Sequence, residues 1–164
     1  MRSSFVFKQE FEHILAALTP QNRLAVEVSL LTGLRISDVL ALKTSEIKER
    51  FSVQEMKTGK RKNIKLNKTI LNRLRDVAGH RFVFPHRTDG NRHRTRQAVY
   101  TDIKRAARLF RCNLNVTPHS ARKIYAVEKL KVFGSLKKVQ FLLNHSDEAV
   151  TMLYALADKL EQRR

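Results

Sequence analysis

Cysteine is almost absent from this chain. Cys112 stands alone in 164 residues, so neither an internal disulfide nor a Cys-rich zinc site can be built. Long apolar runs are missing too: none approaches the roughly 18 residues a membrane-spanning helix needs. The first eleven residues contain no extended apolar segment of the secretory-signal type. These absences lead to the expectation of a soluble, cytoplasmic protein without a membrane partner. Acidic residues are scarce, 15 Asp and Glu against 33 Lys and Arg. No acidic cluster of the two-metal nuclease kind stands out, and His80, His86 and His93 near Asp89 match no closed zinc spacing. No metal and no cofactor is therefore expected. Internal repeats and low-complexity segments are also lacking.

What is present is apolar material for a core, 42% of the residues, at a length that suits one domain. There is also a formal net charge of +18. Self-repulsion of that size costs stability, which makes a polyanionic partner the economical reading. Nucleic acid comes first, because each phosphate neutralised by Lys or Arg releases counterions and renders binding strongly salt-dependent.

Apolar spacing predicts mostly helix. Phe7, Phe11, Ile14, Leu15 and Leu18 mark a first helix. Thr19-Pro20 reads as N-cap and first helical residue of a second helix, with Gly33 as its stop. A short helix follows from about Ser37. Around the alternation of Phe51, Val53 and Glu55, and again at Ile64 and Leu66, a small sheet of two or three strands is expected, with a basic turn between them. Asn67 caps a helix through Val77 that ends near Gly79, and 86–96 reads as an exposed loop. Val99 to Phe110 is helical, Thr117-Pro118 opens a helix to about Val132, and two further helices carry Leu136 to Leu143 and Ala149 to Leu160. The fold class is α+β, mostly α-helical, with a small antiparallel sheet inserted after the first helices.

Taken singly, the candidate functional residues have bland readings. Arg35 can complement a helix C-terminus, Lys57 sits beside a tight turn, and His119 and Arg122 are three apart on one helix face. His145 can cap a helix, and Tyr154 borders an apolar stripe. Their order changes this. Thr32-Gly33-Leu34-Arg35-Ile36-Ser37-Asp38, Lys57-Thr58-Gly59-Lys60, Thr117-Pro118-His119-Ser120-Ala121-Arg122, Leu142-Leu143-Asn144-His145-Ser146 and Tyr154 closely resemble the successive boxes of the tyrosine recombinases, the phage-integrase family. The likeness runs from about Phe11 to Leu160. Two departures stand out: Ala121-Arg122-Lys123 where Leu-Arg-His is common, and Asn144 in place of glycine.

The resemblance implies that residues 1–164 form a single catalytic domain with the tyrosine-recombinase fold, lacking the N-terminal clamp domain most members carry. It implies a site-specific recombinase or integrase that cuts and rejoins DNA through a 3′-phosphotyrosyl bond. The alternative is a relic or regulator that holds DNA without cutting it. Arg35, Lys57, His119, Arg122 and His145 inherit catalytic roles and Tyr154 that of nucleophile, with Tyr100 and Tyr125 as weaker rivals. Asp38 either orients Arg35 or is a surface carboxylate. Double-stranded DNA is the implied partner, with a homo-tetramer on DNA, a monomer when free, and a nucleoid location. Lys60, Arg61, Lys62, Arg92, Arg94, Arg96 and Lys123 are expected to bind DNA, with Lys65, Arg87, Lys104, Arg105 and Arg108 adding to the basic surface.

Overall fold

Helical apolar spacing in the first forty residues produces three helices in succession, α1 (Lys8–Ala16), α2 (Pro20–Thr32) and α3 (Ile36–Leu40). The structure is a computed structural model and describes Val6 and residues 8–144. After a single 3-10 turn at Thr44–Glu46, strands β1 (Arg50–Gln54) and β2 (Arg61–Lys65) form an antiparallel pair. Phe51 opposes Ile64 and Val53 opposes Lys62. Helices α4 (Lys68–Val77), α5 (Arg96–Leu109), α6 (Pro118–Phe133) and α7 (Leu136–Leu142) complete the described chain. The fold expected from the sequence is thus present, and the sheet has two strands. The expected helix from Ala149 to Leu160, with His145 and Tyr154, lies outside the described residues.

The core is one apolar cluster to which nearly every element contributes. Phe11 and Ile14 come from α1, Leu24 and Val28 from α2, Val39 and Leu40 from α3, Ile70 and Leu74 from α4, and Val99 and Ile103 from α5. Phe84, completely buried, fills it from the connection between α4 and α5. A smaller cluster of Tyr125, Ala126, Val139 and Leu143 joins α6 to α7. The loop expected at 86–96 is more ordered than its composition suggests. Arg94 N–H donates to Phe84 C=O at 2.7 Å, His86 N–H to Arg92 C=O at 2.8 Å, and Pro85 bridges His93.

One polar anchor holds the α1–α2 turn against α5. Thr19 stands at the N-cap of α2 as expected, yet its side chain makes no capping hydrogen bond. Its N–H and its hydroxyl both donate to Asp102 Oδ2, each at 2.9 Å. Asn22 Nδ2 donates to the same oxygen at 2.8 Å, and Arg105 donates to Oδ1. A carboxylate that collects five hydrogen bonds outcompetes the N-terminal amides of one helix. Burial alone would push the Asp102 carboxyl up, but these donors outweigh it and hold it below its ordinary value. The charged form is therefore favoured by folding, and that stability is present above the unfolded pKa of about 4 and lost as pH falls through the lower folded value. Asp102→Asn is expected to cost on the order of 2 kcal/mol near neutral pH and to decline less steeply than wild type below pH ~4. Denaturant titrations across that range check both.

Candidate active site

Arg35 is placed by the end of α2. Ser29 Oγ donates to Leu34 C=O at 2.7 Å, Thr32 Oγ1 to Val28 C=O at 2.6 Å, and Leu34 N–H to Thr32 Oγ1. Gly33 ends the helix in the left-handed region at φ 69°, a conformation that costs a side-chain-bearing residue about 1–2 kcal/mol. It must be glycine for a second reason: a Cβ there would sit 2.5 Å from Cδ1 and Cε1 of Tyr125. Backbone α2 and ring of α6 thus touch directly, and Arg35 enters buried at the head of α3.

Arg122 comes from the first turns of α6. Thr117 and Ser120 form a reciprocal capping box, and Pro118 occupies the start of the helix. From there Arg122 Nη1 donates to Gly33 C=O at 2.7 Å and Nη2 to Leu143 C=O at 3.0 Å. One side chain therefore ties the turn carrying Arg35 to the end of α7. Asn144 follows in the left-handed conformation at φ 57°. Asparagine is among the few side-chain-bearing residues that enter that region readily, which accounts for its standing where the family usually has glycine.

Between the two arginines lies Glu55, 0% exposed. It closes the β1–β2 turn: its N–H donates to Lys60 C=O at 2.9 Å and its C=O accepts from Gly59 N–H at 2.8 Å. Its Oε2 accepts from Arg35 Nη1 at 2.8 Å and from Thr58 Oγ1 at 3.1 Å. Its Oε1 stands 3.7 Å from Arg122 Nη1. Burial would raise this carboxyl, but the Arg122 guanidinium, the Asn144 side chain, the Arg35 guanidinium and the Thr58 hydroxyl together outweigh it and hold it below its ordinary value. Asp38, also buried, accepts the Met56 N–H through Oδ1 at 3.0 Å. Its burial excludes the surface reading of Asp38, and through Met56 it also acts as a strut that holds the hairpin turn on α3. Its carboxyl is raised, by burial first.

Two cationic donors in this cluster have no hydrogen-bond partner among the described residues: Arg35 Nη2 and Lys62 Nζ, both buried. Lys62 corrects the expectation of a surface DNA contact. On β2 it alternates with Ile64 on the inward face, leaving it 8% exposed. Burial first, then the charges of Arg122 and Arg35, depress its ammonium to about 8. Arg94 is a second correction. Its Nε donates to Asn22 Oδ1 at 2.6 Å and its Nη1 to Gln21 Oε1 at 2.9 Å, so it braces α2 rather than reaching outward. Lys104 and Arg105 are likewise engaged, with Asn115 and with Asp102 and Ala17 C=O. Lys60, Arg61, Arg92 and Arg96 are exposed, and Lys123 is half-buried.

Arg35 and Arg122 thus meet at one carboxylate. Lys57 and His119 are exposed, Lys57 two residues beyond Glu55 and His119 three before Arg122, and each has an interaction of its own. His145 and Tyr154 fall outside the described residues, His145 directly after Asn144. Tyr125 is buried against Gly33 with its hydroxyl proton held more tightly than usual, by burial first, so it is a packing residue. Tyr100 is on α5 with Lys104 over its ring. Among the described residues no group of three or more His, Cys, Asp or Glu could hold a metal ion, and no helix is long and apolar enough to cross a membrane. Glu55 is what the sequence reading missed. The signal was its place in the alternation Phe51, Val53, Glu55, which continues the inward face of β1 to the turn.

Residues 4–161 match the phage integrase family. The chain belongs to that family. Curated relatives include a tyrosine recombinase XerD of Ralstonia nicotianae, 29% identical over 156 residues that cover 85% of this chain and 49% of the relative. A putative integrase/recombinase, y4qK of Sinorhizobium fredii, is 30% identical over 153 residues, covering 88% and 49%. The chain therefore spans about half the length of the curated relatives it matches. Among solved structures, a lambda integrase dimer bound to a COC′ core site superposes with TM-score 0.77 at 24% identity, covering 93% of this chain and 48% of that one. The lambda integrase catalytic core gives 0.69 at 24% identity and covers 89% and 93%. At these identities the structural likeness establishes the fold.

In this phage integrase family member the Gly33–Tyr125 contact is what seats the first arginine. Gly33→Ala adds both left-handed strain and a clash with the ring, and should cost roughly 2–4 kcal/mol. Gly59→Ala, at φ 65° with open space around it, should cost only about 1 kcal/mol. Equilibrium unfolding of the two variants side by side checks the difference.

Proposed function

We propose that this domain breaks and rejoins DNA strands by transesterification through a tyrosine. The observation that supports this most is the pairing of Arg35 and Arg122 around a buried carboxylate, with Arg35 Nη2 and Lys62 Nζ left unpaired beside them. Buried donors without acceptors are costly, about 1–3 kcal/mol each, and an anionic phosphodiester satisfies such groups. Guanidiniums suit the task because they remain charged and present planar forks to phosphate oxygens. They act most strongly on the pentacoordinate transition state, where the negative charge is greatest.

Tyr154 is the nucleophile in this reading. Its oxygen attacks phosphorus, the phenol proton passes to His119, and the bond to the 5′-oxygen breaks as Lys57 supplies that oxygen with a proton. His145 hydrogen-bonds a phosphate oxygen. The phosphotyrosyl ester retains the energy of the broken bond, so a 5′-hydroxyl can reverse the step on the same or another strand. Double-stranded DNA is the substrate, held at its phosphates by the exposed Lys60, Arg61, Arg92 and Arg96 and by Lys123. The single domain acts as a tetramer on DNA and is a monomer when free. A lambda integrase tetramer bound to a Holliday junction and a XerH recombinase in a post-cleavage complex on its palindromic difH substrate share the fold and support this arrangement. A cytoplasmic, nucleoid-associated location follows from the same reading.

Tyr154→Phe is expected to bind duplex DNA as wild type does and to form no denaturation-resistant adduct with a pool of nicked duplexes of randomised sequence. An adduct surviving in that variant but lost in Tyr125→Phe overturns the nucleophile assignment. Lys57→Ala is expected to slow cleavage by on the order of 10²–10⁴-fold, the usual worth of general acid catalysis. A bridging 5′-sulfur, which leaves without needing a proton, should restore much of that rate. The same substitution should not rescue Arg35→Ala, whose loss is felt at the non-bridging oxygens. Single-turnover cleavage of oxygen- and sulfur-linked substrates checks both.

A further inference from the structure

Among the described residues Lys62 is a buried amine with no hydrogen-bond acceptor, on a strand whose inward side it shares with Ile64. Its Nζ lies 5.2 Å from the centre of the Tyr125 ring. The ring's π-face offers partial compensation for an ammonium, but no hydrogen bond. The charged groups around it come from every neighbouring element: Arg122 on α6, Glu55 at the hairpin turn, Arg35 at the head of α3 and Asp38 within it. Lys129 also approaches the Tyr125 ring, at 5.5 Å. Three buried cations face two buried carboxylates here, an excess of one positive charge. One phosphodiester anion would neutralise it.

We propose that Lys62 is the third cation of the phosphate seat, meeting the scissile phosphate beside Arg35 Nη2, and that Glu55 is the positioning residue that keeps this seat charged and aimed. The proposal rests on the phosphoryl-transfer reading of the same site. Glu55 acts through its neighbours. Its Oε2 takes Arg35 by Nη1, and Nη2 has no hydrogen-bond partner among the described residues. Its negative charge favours the protonated form of Lys62, against burial and two guanidiniums. With an ammonium depressed to about 8, Lys62 is charged below that pH and neutral above it. Phosphate should pull the midpoint back up, and loss of the Glu55 charge should push it further down.

The test follows the side-chain ¹³Cε signal of Lys62, identified by its absence in Lys62→Met, through a pH titration with and without inorganic phosphate. In wild type the midpoint is expected near 8, rising on addition of phosphate. In Glu55→Gln it should fall by roughly one unit while the backbone spectrum stays folded. Glu55→Asp keeps the charge at a shorter reach and should fall less, which preserves the comparison if the glutamine variant unfolds. A Lys62 midpoint that ignores phosphate in both wild type and Glu55→Asp overturns the proposal. A chain whose Lys62 answers to phosphate but which forms no adduct with nicked DNA overturns the strand-transfer reading instead, and leaves the seat standing.

Discussion

A carboxylate sealed from water between two guanidiniums is the constraint on which the rest of this molecule depends. Arg35 and Arg122 arrive from helices far apart in sequence, and a third cation, Lys62, is buried with them. Without an anion among them, their mutual repulsion in a poorly solvated space would oppose folding, and removing one partner of a buried ion pair commonly costs 3–5 kcal/mol. Glu55 resolves this at the tip of β1. The hairpin is therefore more than a basic arm on the surface. Its turn carries the counter-charge of the site, and Asp38 fastens that turn to α3 through the Met56 amide.

The surrounding structure reads as a set of devices that deliver these groups to one point. Gly33 takes a left-handed conformation under the Tyr125 ring so that the chain can turn into Arg35. The Thr117–Ser120 capping box fixes the start of α6, and with it the reach of Arg122 to two backbone carbonyls. One of those carbonyls belongs to Leu143, so the end of α7 and the following Asn144 are held against the same arginine. Asp102 does comparable work at the opposite end of α2, where it gathers Thr19, Asn22 and Arg105.

Much of this architecture is legible in the sequence. Thr117, Asn67 and Gly33 announce helix ends by local chemistry, which needs only a few neighbouring residues to be correct. The order of Arg35, Lys57, His119, Arg122, His145 and Tyr154 marked the family. Lys62, Arg94 and Glu55 were misread or passed over for a common reason. Charge suggests a surface, whereas burial is decided by which face of a strand or loop a residue occupies. Lys62 shares its face with Ile64, and Glu55 continues that of Phe51 and Val53, so strict alternation would have placed both inward. Arg94 left no such signal. Its engagement with Gln21 and Asn22 spans more than seventy residues and depends on tertiary packing alone. Thr19 likewise kept its N-cap position while its hydroxyl went to Asp102.

The central claim is that the buried cluster is an oxyanion seat whose unpaired donors await a phosphate. A crystal structure grown with orthovanadate addresses it most directly. The account predicts vanadate oxygens within hydrogen-bond distance of Arg35 Nη2 and Lys62 Nζ, with Glu55 still joined to Arg35. Vanadate confined to the exposed arginines of the 86–96 segment, with Arg35 Nη2 and Lys62 Nζ still unpaired, would contradict it.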